Sequence, residues 1–141
     1  MKPEISHEVR QLPERVYLVF DDWRLPRSAP RWLDWLTRPG FRHCYILQPE
    51  GDVTLIFNPL ATSILLEFAE FPARLCADAC LGQGMRVLAV APRFIPDYIP
   101  RGILTCVSAC KAALGVNAWH VITPYQLYRH LLAHGAEELR T

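Results

Sequence analysis

The sequence lacks an excess of charge of either sign. Its 141 residues include 15 basic and 14 acidic side chains, so the formal net charge is +1. Proteins that bind the phosphate backbone of a nucleic acid normally carry a clear basic excess. The charge balance therefore disfavours nucleic acid as the main partner of this protein.

Long apolar runs and an apolar leader are also missing. The most apolar stretches, such as residues 53–57 and 103–114, are too short or too interrupted to span a bilayer. The first eight residues, Met-Lys-Pro-Glu-Ile-Ser-His-Glu, contain no hydrophobic segment typical of a secretory signal. We therefore expect no integral membrane segment and a cytoplasmic location, with delivery inside a larger particle as an alternative.

The sequence contains enough hydrophobic residues to form one core. Hydrophobic residues make up 51% of the chain and charged residues 21%, a balance that argues against intrinsic disorder. A domain of this length buries roughly two-thirds of its unfolded surface without needing metals or disulfides. We expect a loose polar arm over residues 1–14 and a single domain over residues 15–141.

The hydrophobic pattern predicts a strand, a short helix, several consecutive strands and then two helices. The predicted strands are residues 16–20, 41–47, 53–57, 64–68 and 85–90, with a turn over residues 48–52. The predicted helices are residues 31–36, 72–81, 103–114 and a last helix that opens with the capping box at Thr123 and Gln126. This order is typical of an α+β fold with an antiparallel sheet packed against helices.

Five cysteines are present, and an odd number fits a complete set of intrachain disulfides poorly. Cys76 and Cys80, and likewise Cys106 and Cys110, are four residues apart, and together they offer four thiolates to a zinc ion. Both pairs lie in helical sequence rich in alanine and leucine, where such cysteines act as small buried hydrophobes. We favour packing thiols, expect no cofactor, and keep a small zinc-binding protein as an alternative.

Cys106 differs from the other cysteines because it lies where a proline-rich loop leads into a predicted helix. With Thr105 as the N-cap, Cys106 is the first helical residue, where unpaired backbone N–H groups and the helix dipole favour a thiolate. The same N–H groups are suited to hold an oxyanion. Cys106 is therefore the candidate nucleophile, and a nucleophilic cysteine needs a base.

His43 is the candidate base because it lies within an apolar strand, where a histidine needs a hydrogen-bond partner. Asn58 ends the next strand, and a hairpin would bring it close enough to accept from the imidazole and fix its tautomer. Asp52 is the other polar candidate, although it lies at the turn. His130 and His134 are four residues apart without an adjacent glutamate, so we expect them on a solvated helix face.

These residues resemble the circularly permuted NlpC-like branch of the papain-fold cysteine peptidases, which includes relatives of lecithin retinol acyltransferase. The resemblance covers about residues 40–115: a Phe-x-His strand, a polar residue on the next strand, and a cysteine that opens a later helix. It implies a papain-like α+β fold with Cys106 as nucleophile, His43 as base and Asn58 as the residue that orients the base. The sequence departs from the family in having Thr105 before the nucleophile and Cys44 after the histidine.

The resemblance implies a cysteine hydrolase or acyltransferase that acts on an amide or ester bond. Cell-wall peptides, peptide or isopeptide bonds and lipid acyl groups are the candidate substrates, and residues 122–128 look like those of small bacterial or prophage-encoded proteins. The departures leave open an inactive relative that serves as a binding or assembly module with a protein partner. An exposed patch that includes Trp23, Trp32 or Trp35 would favour that alternative.

Overall fold

The structure is a computed structural model that describes residues 15–22, 38–60, 63–93 and 105–141. The predicted N-terminal arm over residues 1–14 and the predicted helix over residues 31–36 lie outside the described residues. The same is true of Trp23, Trp32 and Trp35, on which the assembly alternative depends.

The described part of the chain folds as an antiparallel sheet with three helices, which confirms the predicted α+β class. The strands follow the order β4-β3-β2-β1-β5-β6 across the sheet, and every neighbouring pair is antiparallel. Within the described ranges, no helix has the length and apolarity that a membrane crossing requires. The elements are β1 (Val16–Asp21), β2 (His43–Glu50), β3 (Val53–Pro59), β4 (Ile64–Ala69), α1 (Ala73–Gly82), β5 (Arg86–Val90), α2 (Cys106–Leu114), α3 (Pro124–Ala133) and β6 (Glu137–Glu138).

The central strands of the sheet bury side chains on both faces. Alternate side chains of a strand point to opposite faces, so Leu18 and Cys44 belong to one core cluster and Val19 and Leu47 to another. The first cluster contains side chains of α2 and α3, whereas the second contains side chains of α1. The helix α1 therefore covers one face of the sheet, and α2 and α3 cover the other.

The hairpin between β2 and β3 has a tighter turn than the sequence predicts. Strand pairing continues to Glu50 opposite Val53, so only Gly51 and Asp52 form the turn instead of residues 48–52. Gly51 has a φ of 67°, a conformation that glycine adopts without steric cost and that allows such a short reversal. The short turn fixes the register of the two strands, and it puts Asp52 at the end of the hairpin away from His43.

The helix α2 begins at Cys106 rather than at the predicted residue 103. Thr105 has an extended backbone and caps the helix, because its side chain accepts a hydrogen bond from the Ser108 amide at 3.1 Å. The Ser108 hydroxyl in turn accepts from the Thr105 amide at 2.7 Å. This capping box makes Cys106 the first residue of the helix, as the nucleophile hypothesis requires.

Lys111 is a buried cation that holds the segment after α2. Its Nζ donates to the carbonyl oxygens of Ala118 at 2.9 Å and Val121 at 2.7 Å, and burial lowers the pKa of its ammonium group. We expect Lys111→Met to lower the free energy of unfolding by about 1–3 kcal/mol, because it leaves two buried carbonyls without a donor. Urea unfolding measures this change.

A matched control for Lys111→Met is Arg74→Met, which breaks an exposed ion pair between Arg74 and Asp78 at 3.1 Å. Exposed pairs contribute little, so this change is expected to stay within about 0.5 kcal/mol. Equal losses for the two variants would show that Lys111 stabilises the fold no more than a surface cation does.

Candidate active site

The structure brings His43 and Asn58 together across the β2–β3 hairpin. His43 is the first residue of β2, and its Nε2 lies 2.7 Å from the Asn58 Oδ1. Ile46 pairs with Phe57, and one further step in this register puts Asn58 opposite Tyr45. Asn58 is then the diagonal neighbour of His43 on the same face of the hairpin, a separation that polar side chains bridge.

Cys106 approaches His43 from the helix α2, which packs against β2. Cys110 lies one helical turn further along, with its sulfur 3.7 Å from that of Cys44. One turn back, Cys106 packs against the core cluster that contains Cys44, and it influences the pKa values of both His43 and Cys44. The packing of α2 on β2 therefore brings the candidate nucleophile to the candidate base.

The hydrogen bond with Asn58 determines which nitrogen of the His43 imidazole is able to accept a proton. Its Nε2–H donates to the carbonyl oxygen of Asn58, which leaves Nδ1 as the ring nitrogen that accepts a proton. His43 is only 7% exposed, so its orientation is also restricted by packing. The arrangement is a thiol, a base and an amide that holds the base.

The pKa of the His43 imidazole lies above its ordinary value of 6.5. Burial is the largest single influence and lowers this pKa, but the hydrogen bonds with Cys106 and Asn58 raise it, as does the negative charge of Asp21. The raising influences together outweigh burial. The imidazole therefore holds a proton to higher pH than an isolated histidine does, which suits a group that receives one during a reaction.

The Cys106 thiol has a pKa well above its usual range. The hydrogen bond with Cys44 raises this pKa most, burial raises it further, and the hydrogen bond with His43 lowers it. The expectation that the helix start favours a thiolate is therefore wrong for the resting site, because it considered the helix dipole but neither the buried neighbour Cys44 nor the burial of Cys106. The resting site holds a neutral thiol beside a base.

Asp21 belongs to the surroundings of the site, although its position in the sequence does not mark it as a site residue. It ends β1 and pairs in register with His43, and its negative charge raises the pKa of the imidazole. The available signal was the acidic end of β1, since antiparallel pairing places the end of one strand beside the start of its neighbour. The pairing of β1 with β2 was not itself predictable from that signal.

The other candidate residues lie away from His43. Asp52 is in the turn at the opposite end of the hairpin, so it is not the residue that orients the imidazole. His130 and His134 lie on α3 with their rings stacked at 4.1 Å between centroids, and His134 is exposed while His130 is half-buried. The solvated face predicted for this pair is therefore only half correct.

The four cysteines of the zinc alternative do not converge. Cys76 and Cys80 pack on the α1 face of the sheet, whereas Cys106 and Cys110 pack on the opposite face. Among residues 15–22, 38–60, 63–93 and 105–141, no three cysteine, histidine or acidic side chains form a group suited to a metal ion. The sheet itself separates the two pairs, so they do not form one tetrathiolate site.

Comparisons with protein-family models, curated proteins and solved structures find no match to this chain. The chemistry of the site is therefore argued from its own residues. A thiol next to an imidazole, with the imidazole held by an amide, is an arrangement that attacks electrophilic carbon. Acyl transfer is the reaction class that these groups fit.

Proposed function

We propose that this protein is a cysteine hydrolase or acyltransferase that acts on an amide or ester bond, with Cys106 as nucleophile. The observation that carries the proposal is the position of His43 between the Asn58 carbonyl oxygen, at 2.7 Å, and the Cys106 thiol at the start of α2. The histidine strand precedes the cysteine helix in the chain, and this order supports a permuted papain-like fold.

The first step forms a thioester. His43 Nδ1 takes the proton of the Cys106 thiol while the sulfur attacks the substrate carbonyl carbon. The imidazolium then gives this proton to the departing amine or alcohol as the tetrahedral intermediate collapses. Because the resting thiol is neutral, proton transfer accompanies the attack.

The second step releases the acyl group. Water, or a second alcohol or amine, loses a proton to His43 and attacks the thioester carbonyl. As the tetrahedral intermediate collapses, the imidazolium gives this proton to the departing Cys106 sulfur, which restores the neutral thiol. Asn58 keeps the imidazole oriented through both steps, and the negative charge of Asp21 stabilises its protonated form. The acceptor decides whether the outcome is hydrolysis or transfer.

The start of α2 supplies a donor for the negative oxygen of the tetrahedral intermediate. The N–H groups in the first turn of a helix have no carbonyl partner within that helix, and Cys106 is the first residue of α2. Its backbone N–H lies next to the attacking sulfur by covalent geometry. One such donor is worth about 3 kcal/mol of transition-state stabilisation.

An acyl-enzyme test decides whether Cys106 is the nucleophile. p-Nitrophenyl acetate is mixed with the protein, and intact-mass spectrometry with peptide mapping locates the acetyl group. We expect a burst of p-nitrophenol and an acetyl adduct on Cys106, which Cys106→Ser abolishes. The matched control Cys76→Ser changes a half-buried thiol on the other face of the sheet and is expected to retain both. Equal acetylation of the wild type and Cys106→Ser would refute the proposal.

A second candidate, a non-catalytic binding or assembly module on the same fold, is favoured by exposed apolar side chains. On β4, Leu66 is 59% exposed and Phe68 is 71% exposed, and the pairing with β3 puts both on one face of the sheet. Phe71, in the segment after β4, is 61% exposed, and Leu75 on α1 is 56% exposed. Exposed apolar groups of this kind are typical of interaction sites. A folded wild type that forms no acetyl adduct would favour this candidate.

A further inference from the structure

Three cysteine sulfurs lie next to one another between β2 and α2. The Cys44 thiol donates to the Cys110 sulfur at 3.7 Å, and the Cys110 thiol is 3.8 Å from the Cys44 carbonyl oxygen. Cys106, one helical turn before Cys110, packs against the same core cluster and influences the pKa of Cys44. All three are free thiols. The proposed acyl transfer uses only Cys106, so the function of the other two thiols is not explained by it.

The three thiols differ in their access to solvent. Cys44 and Cys110 are 0% exposed, whereas Cys106 is half-buried at the start of α2. A small dissolved oxidant therefore meets Cys106 first. His43 lies beside this sulfur and receives the thiol proton when the sulfur attacks an electrophile, whether the electrophile is a carbonyl carbon or a peroxide oxygen.

We infer that Cys106 is a reversible oxidation site for hydroperoxides and that Cys44 is the residue that closes a disulfide with it. The inference concerns the sulfur that the proposed function assigns as nucleophile. A regulatory role of the disulfide therefore rests on the proposed function. Formation of the disulfide removes the nucleophile, and reduction restores it. Closure also prevents further oxidation of Cys106 to a sulfinic acid, which is irreversible in most proteins.

The chemistry balances in two steps. The Cys106 sulfur attacks one peroxide oxygen and the O–O bond breaks, which oxidises the sulfur to a sulfenic acid and reduces the peroxide by two electrons to water or an alcohol. The thiol proton passes through His43 to the departing oxygen. The Cys44 sulfur then attacks the Cys106 sulfur, an S–S bond forms, the S–O bond breaks, and hydroxide leaves as water with the Cys44 proton.

The surroundings of Cys44 suit this second step. Its thiol is fully buried, and although the hydrogen bond with Cys106 lowers its pKa, the hydrogen bond with Cys110 and burial raise the pKa well above its ordinary value. Cys44 therefore keeps its proton until the sulfenic acid forms, and this proton is the one that the departing hydroxide needs. Cys110 contacts Cys44 and acts as a packing thiol.

Peptide mapping tests the inference in the full chain. The protein is treated with hydrogen peroxide, free thiols are blocked with N-ethylmaleimide, and trypsin is added without reductant. Cys44 falls in the fragment of residues 43–74, whereas Cys106 and Cys110 share residues 102–111. We expect these two fragments to be linked. Oxidation of residues 102–111 to a sulfinic or sulfonic acid without a link would overturn the inference.

Two variants identify which cysteine of the shared fragment is linked. Cys110→Ser should retain the link to residues 43–74, and Cys106→Ser should lose it. The opposite result, with the link lost in Cys110→Ser and kept in Cys106→Ser, would assign the disulfide to Cys44 and Cys110 and refute the inference. These comparisons do not require any substitution of Cys44, so they stand even if a Cys44 variant fails to fold.

Ester hydrolysis separates this inference from the proposed function. Peroxide should lower p-nitrophenyl acetate hydrolysis by the wild type about tenfold or more, and dithiothreitol should restore it. In a folded Cys44→Ser variant the loss should persist after dithiothreitol. A linked Cys44–Cys106 pair in a protein without Cys106-dependent hydrolysis would support the inference and reject the function. Cys106-dependent hydrolysis with no linked fragments would support the proposed function and reject the inference.

Discussion

Replacing His43 with alanine is expected to lower kcat/KM for p-nitrophenyl acetate by about 100- to 10,000-fold, the range that a positioned general base contributes. The Cys106 thiol is neutral at rest because Cys44 and burial raise its pKa, so it needs a base at the moment of attack. Steady-state rates at about pH 8 measure the loss.

The matched control is His134→Ala, an exposed histidine on α3 that is not part of the site. This variant is expected to hydrolyse the ester at the wild-type rate. A His43→Ala variant within about threefold of the wild type would show that the imidazole is not the base, since even a weak general base contributes more.

Loss of folding would also lower activity in His43→Ala, and alkylation of Cys106 separates the two causes. His43 lowers the pKa of the Cys106 thiol, so its removal raises this pKa and slows the reaction with iodoacetamide. Unfolding has the opposite effect, because it exposes a half-buried thiol. Slower alkylation together with slower hydrolysis therefore indicates a folded protein that has lost its base.

The contact between His43 and Asn58 was predictable because it depends on local rules. Two apolar segments separated by a glycine-containing turn predict a hairpin, and alternation in each strand decides which side chains share a face. The turn was predicted too long, but the register that Gly51 permits still brings Asn58 to the imidazole. The capping box at Thr123 and Gln126 likewise follows from residues three apart in the chain, whereas at Thr105 only the N-cap was expected and not the box that Ser108 completes.

The electrostatics of the site were not predictable because they depend on contacts between distant segments. Asp21 lies beside His43 only because β1 pairs with β2, and Cys44 influences the pKa of Cys106 only because α2 packs on the face of the sheet where Cys44 lies. Neither relation has a signal in the local sequence. The result is a Cys106 thiol whose pKa is raised, the opposite of what the helix start alone indicates. The strand β6, two residues long, also has no detectable periodicity of its own.

Replacing Asn58 with alanine is expected to lower kcat/KM for p-nitrophenyl acetate by about 10- to 100-fold, because a base that is no longer held spends less time aligned with the thiol. It is also expected to move the pH dependence. His43 must be neutral to accept the thiol proton, so activity is lost as the pH falls through the pKa of the imidazole. This pKa is raised above 6.5, which places the acid limb of the wild-type profile above pH 6.5.

The direction of the shift distinguishes an orienting amide from a structural one. The hydrogen bond to the Asn58 oxygen raises the pKa of His43, so Asn58→Ala should move the acid limb to lower pH. In Asn58→Asp, a carboxylate accepts the same hydrogen bond and stabilises the imidazolium more strongly, so the limb should move to higher pH. A profile of kcat/KM against pH measures both shifts in the free enzyme. If Asn58 only packs against its neighbours, its substitution would lower the rate without moving the acid limb of the pH profile. That result would show that Asn58 does not orient the imidazole.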